Sequence, residues 1–159
     1  MSAMDFEEVV RCYADMVFRI ALNISGNYAD SEDVMQNVFF RYLKKQHTFS
    51  SQDHIKAWLI RVAVNESKRL IKANSKRMCS SLDELENIVF SHNEDSKELF
   101  YQVMNLQEKY RTVLYLYYYE GLSLKEIARI LKRKEATVRT QLSRAREMLK
   151  IKIKEEDYD

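Results

Sequence analysis

Residues 123–149 read SLKEIARILKRKEATVRTQLSRAREML, two short amphipathic helices joined by a tight basic turn. Ser123 followed by Glu126 forms a capping box, whose side chains satisfy amides that a helix start leaves orphaned. Leu124, Ile127, Ala128 and Leu131 recur at i, i+3, i+4 and i+7, one helical face. A second helix starts near Ala136 or Thr137. At ~100° per residue its apolar side chains Val138, Leu142, Ala145 and Leu149 fall within about 60° of one another. Arg139, Thr140, Ser143 and Arg144 then face away from that arc, presenting charge and hydrogen-bonding groups. Two helices and a tight turn, the second helix polar and basic outside, describe a helix-turn-helix.

Charge is segregated in a way the overall balance conceals. The chain carries a net charge of only +2, yet Lys125 to Lys154 holds eleven Lys and Arg against Glu126, Glu135 and Glu147, a local +8. Lys132 and Lys134 sit in the turn itself. A second basic stretch, Ile55 to Arg77, sets seven Lys and Arg against Glu66 alone, a local +6. Clusters of this kind neutralise phosphates and drive sequence-independent affinity for nucleic acid. A single charge run is as well explained by a solvated helix face. Two runs, one on a helix-turn-helix, favour nucleic acid.

With 159 residues, no Pro and only two Gly, the chain is expected to be all-α. Cys12 and Cys79 lack CxxC spacing. Cys12 is expected as a small buried hydrophobe of the first helix, and a reducing cytosol fits better than a disulfide framework. The start MSAMDFEEVV is acidic and has no apolar signal-peptide core, and no apolar run approaches the ~20 residues of a membrane span.

Upstream, Phe6, Val9, Val10, Tyr13, Val17, Ile20, Ala21 and Ile24 mark a long amphipathic helix ended by Ser25-Gly26-Asn27. A second helix follows an Asp30 N-cap and runs through Val34, Val38, Phe39, Tyr42 and Leu43. A third, capped by Asp53, buries Ile55, Trp58, Leu59 and Val62 and continues basic to about Arg77. The period then breaks in MCSSLDELENIVFSHNEDS, residues 78–96, a linker-like stretch rich in acids and Ser/Asn. Helix resumes near Lys97, another spans about Lys109 to Tyr119, and Gly121 supplies a C-cap. The expected organisation is two small helical domains, 1–76 and 97–154, joined by a flexible linker, 77–96. The linker could reach ~60 Å at ~3.3 Å per residue.

Three segments, in order, resemble the bacterial RNA polymerase sigma-70 family, specifically its minimal two-domain extracytoplasmic-function (ECF) group. They are DSEDVMQNVFFRYLK (30–44), HIKAWLIRVAVNESKRLIKANSKR (54–77) and the block from Tyr110 to Leu149. The resemblance implies core RNA polymerase as partner, through the β′ clamp helices and the β flap, together with promoter DNA and a cognate anti-sigma factor. It implies that 30–44 docks on the clamp helices. There Asp33, Gln36, Asn37, Phe40 and Arg41 lie off the inward face of Val34, Val38 and Tyr42, and aromatic and Arg side chains anchor interfaces. The alternative is that Phe39 and Phe40 are both core. The resemblance also implies that 54–77 melts and reads the −10 element. Asn65, seven residues after Trp58, stands where the family holds an extruded base, and an amide can pair with a Watson–Crick edge; without the resemblance it reads as a solvated mid-helix Asn. Lys68, Arg69 and Lys72 would bind phosphates or stack on unpaired bases. Arg139, Thr140, Ser143 and Arg144 match base- and phosphate-contacting positions of the −35 reader, and Lys132 and Lys134 would meet phosphates. Arg146, nearer the buried flank, would pair with Glu147 or a phosphate. Two departures stand out: Gln107 where the family often has Pro, and Ala136 where Gly often precedes Thr-Val.

A one-component or response-regulator transcription factor could also use TVRTQLSRAR. It would need a sensing or phospho-acceptor domain in front, commonly built on strands, where this chain shows helical periods. An enzyme fits poorly, because His47, His54 and His92 lack metal-ligand spacing and no phosphate loop or nucleophile elbow exists. The sequence implies no cofactor, no metal and no catalytic residue.

Overall fold

Asp5 starts the first helix: its carboxylate accepts the Glu8 amide at 2.8 Å. In the computed structural model, which describes residues 4–45, 48–73 and 101–157 (151–157 by backbone alone), α1 spans Phe6–Ser25. It stops at Gly26, whose left-handed φ of 65° turns its own N–H onto the Leu22 carbonyl. Val9, Val17, Ile20 and Ile24 are fully buried on one face, each worth roughly 1.5–3 kcal/mol of burial. Cys12 is exposed, contrary to expectation. It lies roughly 90° around the helix from the middle of that buried arc.

The next two starts are earlier than Asp30 and Asp53 suggested. α2 spans Tyr28–Lys45, and the Asn27 side chain caps it by accepting the Asp30 amide at 2.9 Å. Asp30 therefore sits in the first turn, favourable to the helix dipole without being the cap. α3 spans Gln52–Ala73, and Ser51 Oγ accepts the His54 amide at 3.1 Å, so Asp53 too is a first-turn residue. Before α3, Phe49 stacks on Tyr42 (5.3 Å between ring centroids) and meets Trp58 (5.5 Å) and His54 (5.0 Å) edge-on. Helices α1, α2 and α3 each pack on the other two, around Val34, Val38, Tyr42, Leu59, Ile60 and Ala63. Trp58 is half-buried at the rim of this core.

The chain divides into two compact units, Met1–Ser80 and Ser81–Asp159. The expected linker 77–96, Cys79, Lys76, Arg77 and the helix start near Lys97 lie outside the described residues. In the second unit residues 101–104 are helical and Leu106 is buried. α4 spans Glu108–Tyr118, entered from Gln107 without a side-chain cap. The cap at its end is Tyr119; Gly121, two residues on, has φ 68°, and beyond it the Leu122 N–H returns to the Leu116 carbonyl at 3.1 Å. α5 spans Leu124–Leu131 and α6 spans Glu135–Asp157. Ser123 Oγ accepts the Glu126 amide at 3.1 Å and donates to Glu126 Oε1 at 3.1 Å. Val113, Leu116, Ile127, Ile130, Val138, Leu142 and Ala145 form the shared core of α4, α5 and α6. Leu124, Leu131 and Leu149 are half-buried at its edge. All the regular structure among the described residues is helical.

Candidate nucleic-acid interface

The turn between α5 and α6 is built on a residue that rarely adopts its backbone shape. Lys132 has φ 55° and ψ 48°, and its N–H bonds the Ala128 and Arg129 carbonyls. The Arg133 N–H reaches the Ala128 carbonyl at 2.9 Å, completing a closure that usually calls for glycine. The Arg133 side chain then spans to α6, donating to Gln141 Oε1 at 2.9 Å. That bond fixes α6 relative to the turn. Helix α6 begins at Glu135, slightly before the expected Ala136 or Thr137, and exposed Ala136 lies within its first turn.

Arg139, Thr140, Ser143 and Arg144 are all exposed on α6, opposite buried Val138, Leu142 and Ala145. Arg139 pairs with Glu135 at 3.3 Å, one helical turn away. Exposed pairs at this spacing contribute only ~0.3–0.5 kcal/mol, so a phosphate or guanine edge can displace Glu135 easily. The Thr140 hydroxyl donates to the Ala136 carbonyl at 3.0 Å, which leaves its oxygen to act as an acceptor. Arg144 makes no hydrogen bond or ion pair among the described residues, so all five of its N–H donors are available. Lys132 and Lys134 flank the same face and are exposed. Arg146 differs from expectation: it bonds the Tyr118 hydroxyl and stacks over Tyr117 and Tyr118, with its guanidinium carbon 5.5 and 5.2 Å from the ring centres.

In the first unit α3 presents a second basic face. Counting ~100° per residue, Arg61, Asn65, Lys68, Arg69 and Lys72 share an arc of about 100°. Asn65, Arg69 and Lys72 are exposed and Lys68 is half-buried. The Asn65 side chain makes no hydrogen bond among the described residues. Arg69 is held: Glu66 Oε2 accepts from it at 2.9 Å, and this bond raises the guanidinium pKa above its ordinary value. Glu66 Oε1 meets Arg41 of α2 at 2.6 Å.

On α2, Asp33, Gln36, Asn37 and Phe40 are exposed within about 100° of arc, with Arg41 at its edge. Phe39 is buried but Phe40 is 59% exposed, under the Lys44 ammonium at 4.4 Å from its ring centre. Exposed Leu43 extends the apolar patch. Sequence reasoning missed the Glu66–Arg41 ion pair, the Arg133–Gln141 bond and the Tyr117–Tyr118–Arg146 stack, all of which join residues distant along the chain or on different helices.

Residues 9–77 match the family model described as Sigma-70 region 2, and residues 97–149 match Sigma-70, region 4. The chain belongs to the sigma-70 family. It is 31% identical over 156 residues to the ECF RNA polymerase sigma factor SigM of Bacillus subtilis, covering 92% of this chain and 94% of that one. It is 33% identical over 141 residues to the ECF RNA polymerase sigma-E factor of Haemophilus influenzae, covering 78% and 75%. Among solved structures, the sigma factor RpoE of Bartonella quintana, in complex with the anti-sigma factor NepR, superposes with a TM-score of 0.74. That superposition covers 94% of this chain and 97% of RpoE at 20% identity, a likeness of fold. Within this sigma-70 protein, the region 2 match contains the α2 and α3 faces, and the region 4 match contains the turn and the exposed face of α6. No helix among its described residues is long and apolar enough to cross a membrane.

Proposed function

We infer that this ECF sigma factor binds core RNA polymerase in the cytoplasm and directs promoter recognition, DNA melting and transcription initiation, with no catalysis of its own. The observation that carries this reading is one chain with two helical units, matched in order to regions 2 and 4, each with an exposed basic helix face. Residues 1–76 would serve core binding and the −10 element, 97–154 the −35 element, and 77–96 would join them.

Phe40, with Asp33, Gln36, Asn37 and Arg41, would dock on the β′ clamp helices, an aromatic anchor with a polar surround. The second unit would engage the β flap. Arg144 and Arg139 would read base edges, with Thr140 and Ser143 as less selective partners, and Lys132 and Lys134 would neutralise phosphates. Melting requires a base to leave the stack at an expense of a few kcal/mol, which Asn65 would offset by pairing with the extruded edge. Lys68, Arg69 and Lys72 would hold the separated strand. The anti-sigma complex of the Bartonella relative supports an anti-sigma partner here as well.

Purified protein should bind core polymerase and produce specific transcripts from a genomic promoter library, which core enzyme alone does not yield. Folded protein that supports no initiation on any promoter in such a library would overturn the reading.

A further inference from the structure

Glu66 is the one charged residue buried in the core among the described residues, and it is also the lone acid of the basic stretch from Ile55 to Arg77. A carboxylate this far from water is tolerated only when paired and hydrogen-bonded. Both of its oxygens are occupied, Oε1 by Arg41 of α2 at 2.6 Å and Oε2 by Arg69 of α3 at 2.9 Å. The Glu66 side chain is 3% exposed, whereas those of Arg41 and Arg69 are 53% and 61% exposed. Two guanidinium groups are thus pinned from below by one buried anion, with N–H donors left facing solvent. Arg69 lies one turn beyond Asn65 on the same arc, and Arg41 borders the α2 face that carries Phe40.

Two roles for such an acid predict opposite results. A carboxylate that only dilutes positive charge would, on removal, improve every kind of DNA binding. A carboxylate that orients Arg69 would, on removal, improve charge-driven binding to duplex while impairing the step that needs a fixed, planar guanidinium beside an unpaired strand. Full burial and occupation of both oxygens point to the second, since dilution needs neither. We propose that Glu66 is a positioning residue for promoter melting: it sets the Arg69 guanidinium beside Asn65, with Arg41 as the strut that ties this setting to the polymerase-docking helix. The inference rests on the sigma-factor reading above.

The test uses full-length protein assembled with core polymerase. Glu66→Gln keeps the shape and raises the local charge of the stretch by one. Affinity of the assembled enzyme for non-promoter duplex should rise, and the slope of log K against log salt should steepen by about 0.9 as one more phosphate is neutralised. Open complexes, read as permanganate-reactive thymines at matched promoter occupancy, should fall about tenfold, the factor expected for one hydrogen bond to a charged group. Added to Arg69→Gln, the same change should cause no further fall, because the effect passes through Arg69. Arg69→Lys keeps the charge without the planar fork and carries the test independently of Glu66: duplex affinity should hold while open complexes drop by a similar factor. Undiminished permanganate reactivity in Glu66→Gln or in Arg69→Lys, or an equal fall when Arg69 is already Gln, overturns the proposal. Absence of open complexes with the wild-type protein would instead refute the sigma-factor reading itself.

Discussion

Lys132→Gly should make the second unit more stable and its DNA binding weaker. Lys132 occupies left-handed backbone at φ 55°, ψ 48°. A side chain there costs roughly 1–2 kcal/mol, which glycine relieves. Glycine also loosens the unfolded chain, returning about 0.4–1 kcal/mol of that gain. Lys132 is exposed, and its N–H bonds to the Ala128 and Arg129 carbonyls survive the substitution. The net expectation is a stabilisation of about 0.5–1 kcal/mol, or roughly 3–5 °C in Tm for a unit of this size. The single tryptophan, Trp58, lies in the first unit, so its fluorescence follows that unit while far-UV circular dichroism follows both. The transition seen by dichroism and not by Trp58 should therefore rise, and the Trp58 transition should stay in place. The same variant should lose one phosphate contact, making the salt slope of DNA binding shallower by about 0.9. Lys132→Ala should lose that contact with no thermal gain, because alanine is as strained as lysine. A glycine variant no more stable than wild type would refute the strain argument.

Arg144→Ala should lower affinity by roughly 1–3 kcal/mol at one base pair of the upstream element and relax preference there, measured by binding to a library randomised at each position. Unchanged preference would remove Arg144 from the reading face. Asn65→Ala should leave polymerase docking and duplex binding intact and reduce permanganate reactivity at the −10 element, with a pre-melted bubble restoring part of the loss; equal reactivity would return Asn65 to the status of a solvated helix residue. Phe40→Ala should weaken association with core polymerase by at least ~1–2 kcal/mol with little change in Tm, as for an interface anchor. Phe39→Ala, buried one residue away, should destabilise the first unit by about 3–5 kcal/mol; the reverse pattern would exchange their roles.

Helix identity was legible because each helix repeats apolar residues at the 3.6-residue period. The capping box at Ser123 and the polar face of α6 were legible for the same local reason. Boundaries were less so: Asn27 and Asp30, or Ser51 and Asp53, are capping residue types only two or three positions apart, and periodicity cannot choose between them. Cys12 reads as core because it neighbours Tyr13 in sequence, yet it lies beyond the edge of the buried arc and is exposed. Adjacent Phe39 and Phe40 are alike in sequence, and only the packing of α2 buries one and leaves the other in solvent. Glu66 was visible only as a lone acid, since its meaning depends on Arg41, a residue brought close by the packing of α2 on α3. Arg146 likewise finds Tyr118 on another helix.

Among residues 135–150 of α6, packing and surface chemistry fall to different side chains. Val138, Leu142 and Ala145 hold the helix in its unit and Gln141 anchors the turn, whereas Arg139, Thr140, Ser143 and Arg144 are exposed, with only the local Arg139–Glu135 pair and the Thr140–Ala136 bond among them. Surface substitutions away from structural features usually change stability by less than about 0.5 kcal/mol, while a single altered base contact shifts DNA affinity by about 1–3 kcal/mol. Those four positions, the proposed reading face, can therefore be rewritten one at a time without unfolding the intermediates. After gene duplication, a copy of this protein could acquire a different set of target promoters through a short path of point mutations, each step foldable and each step selectable.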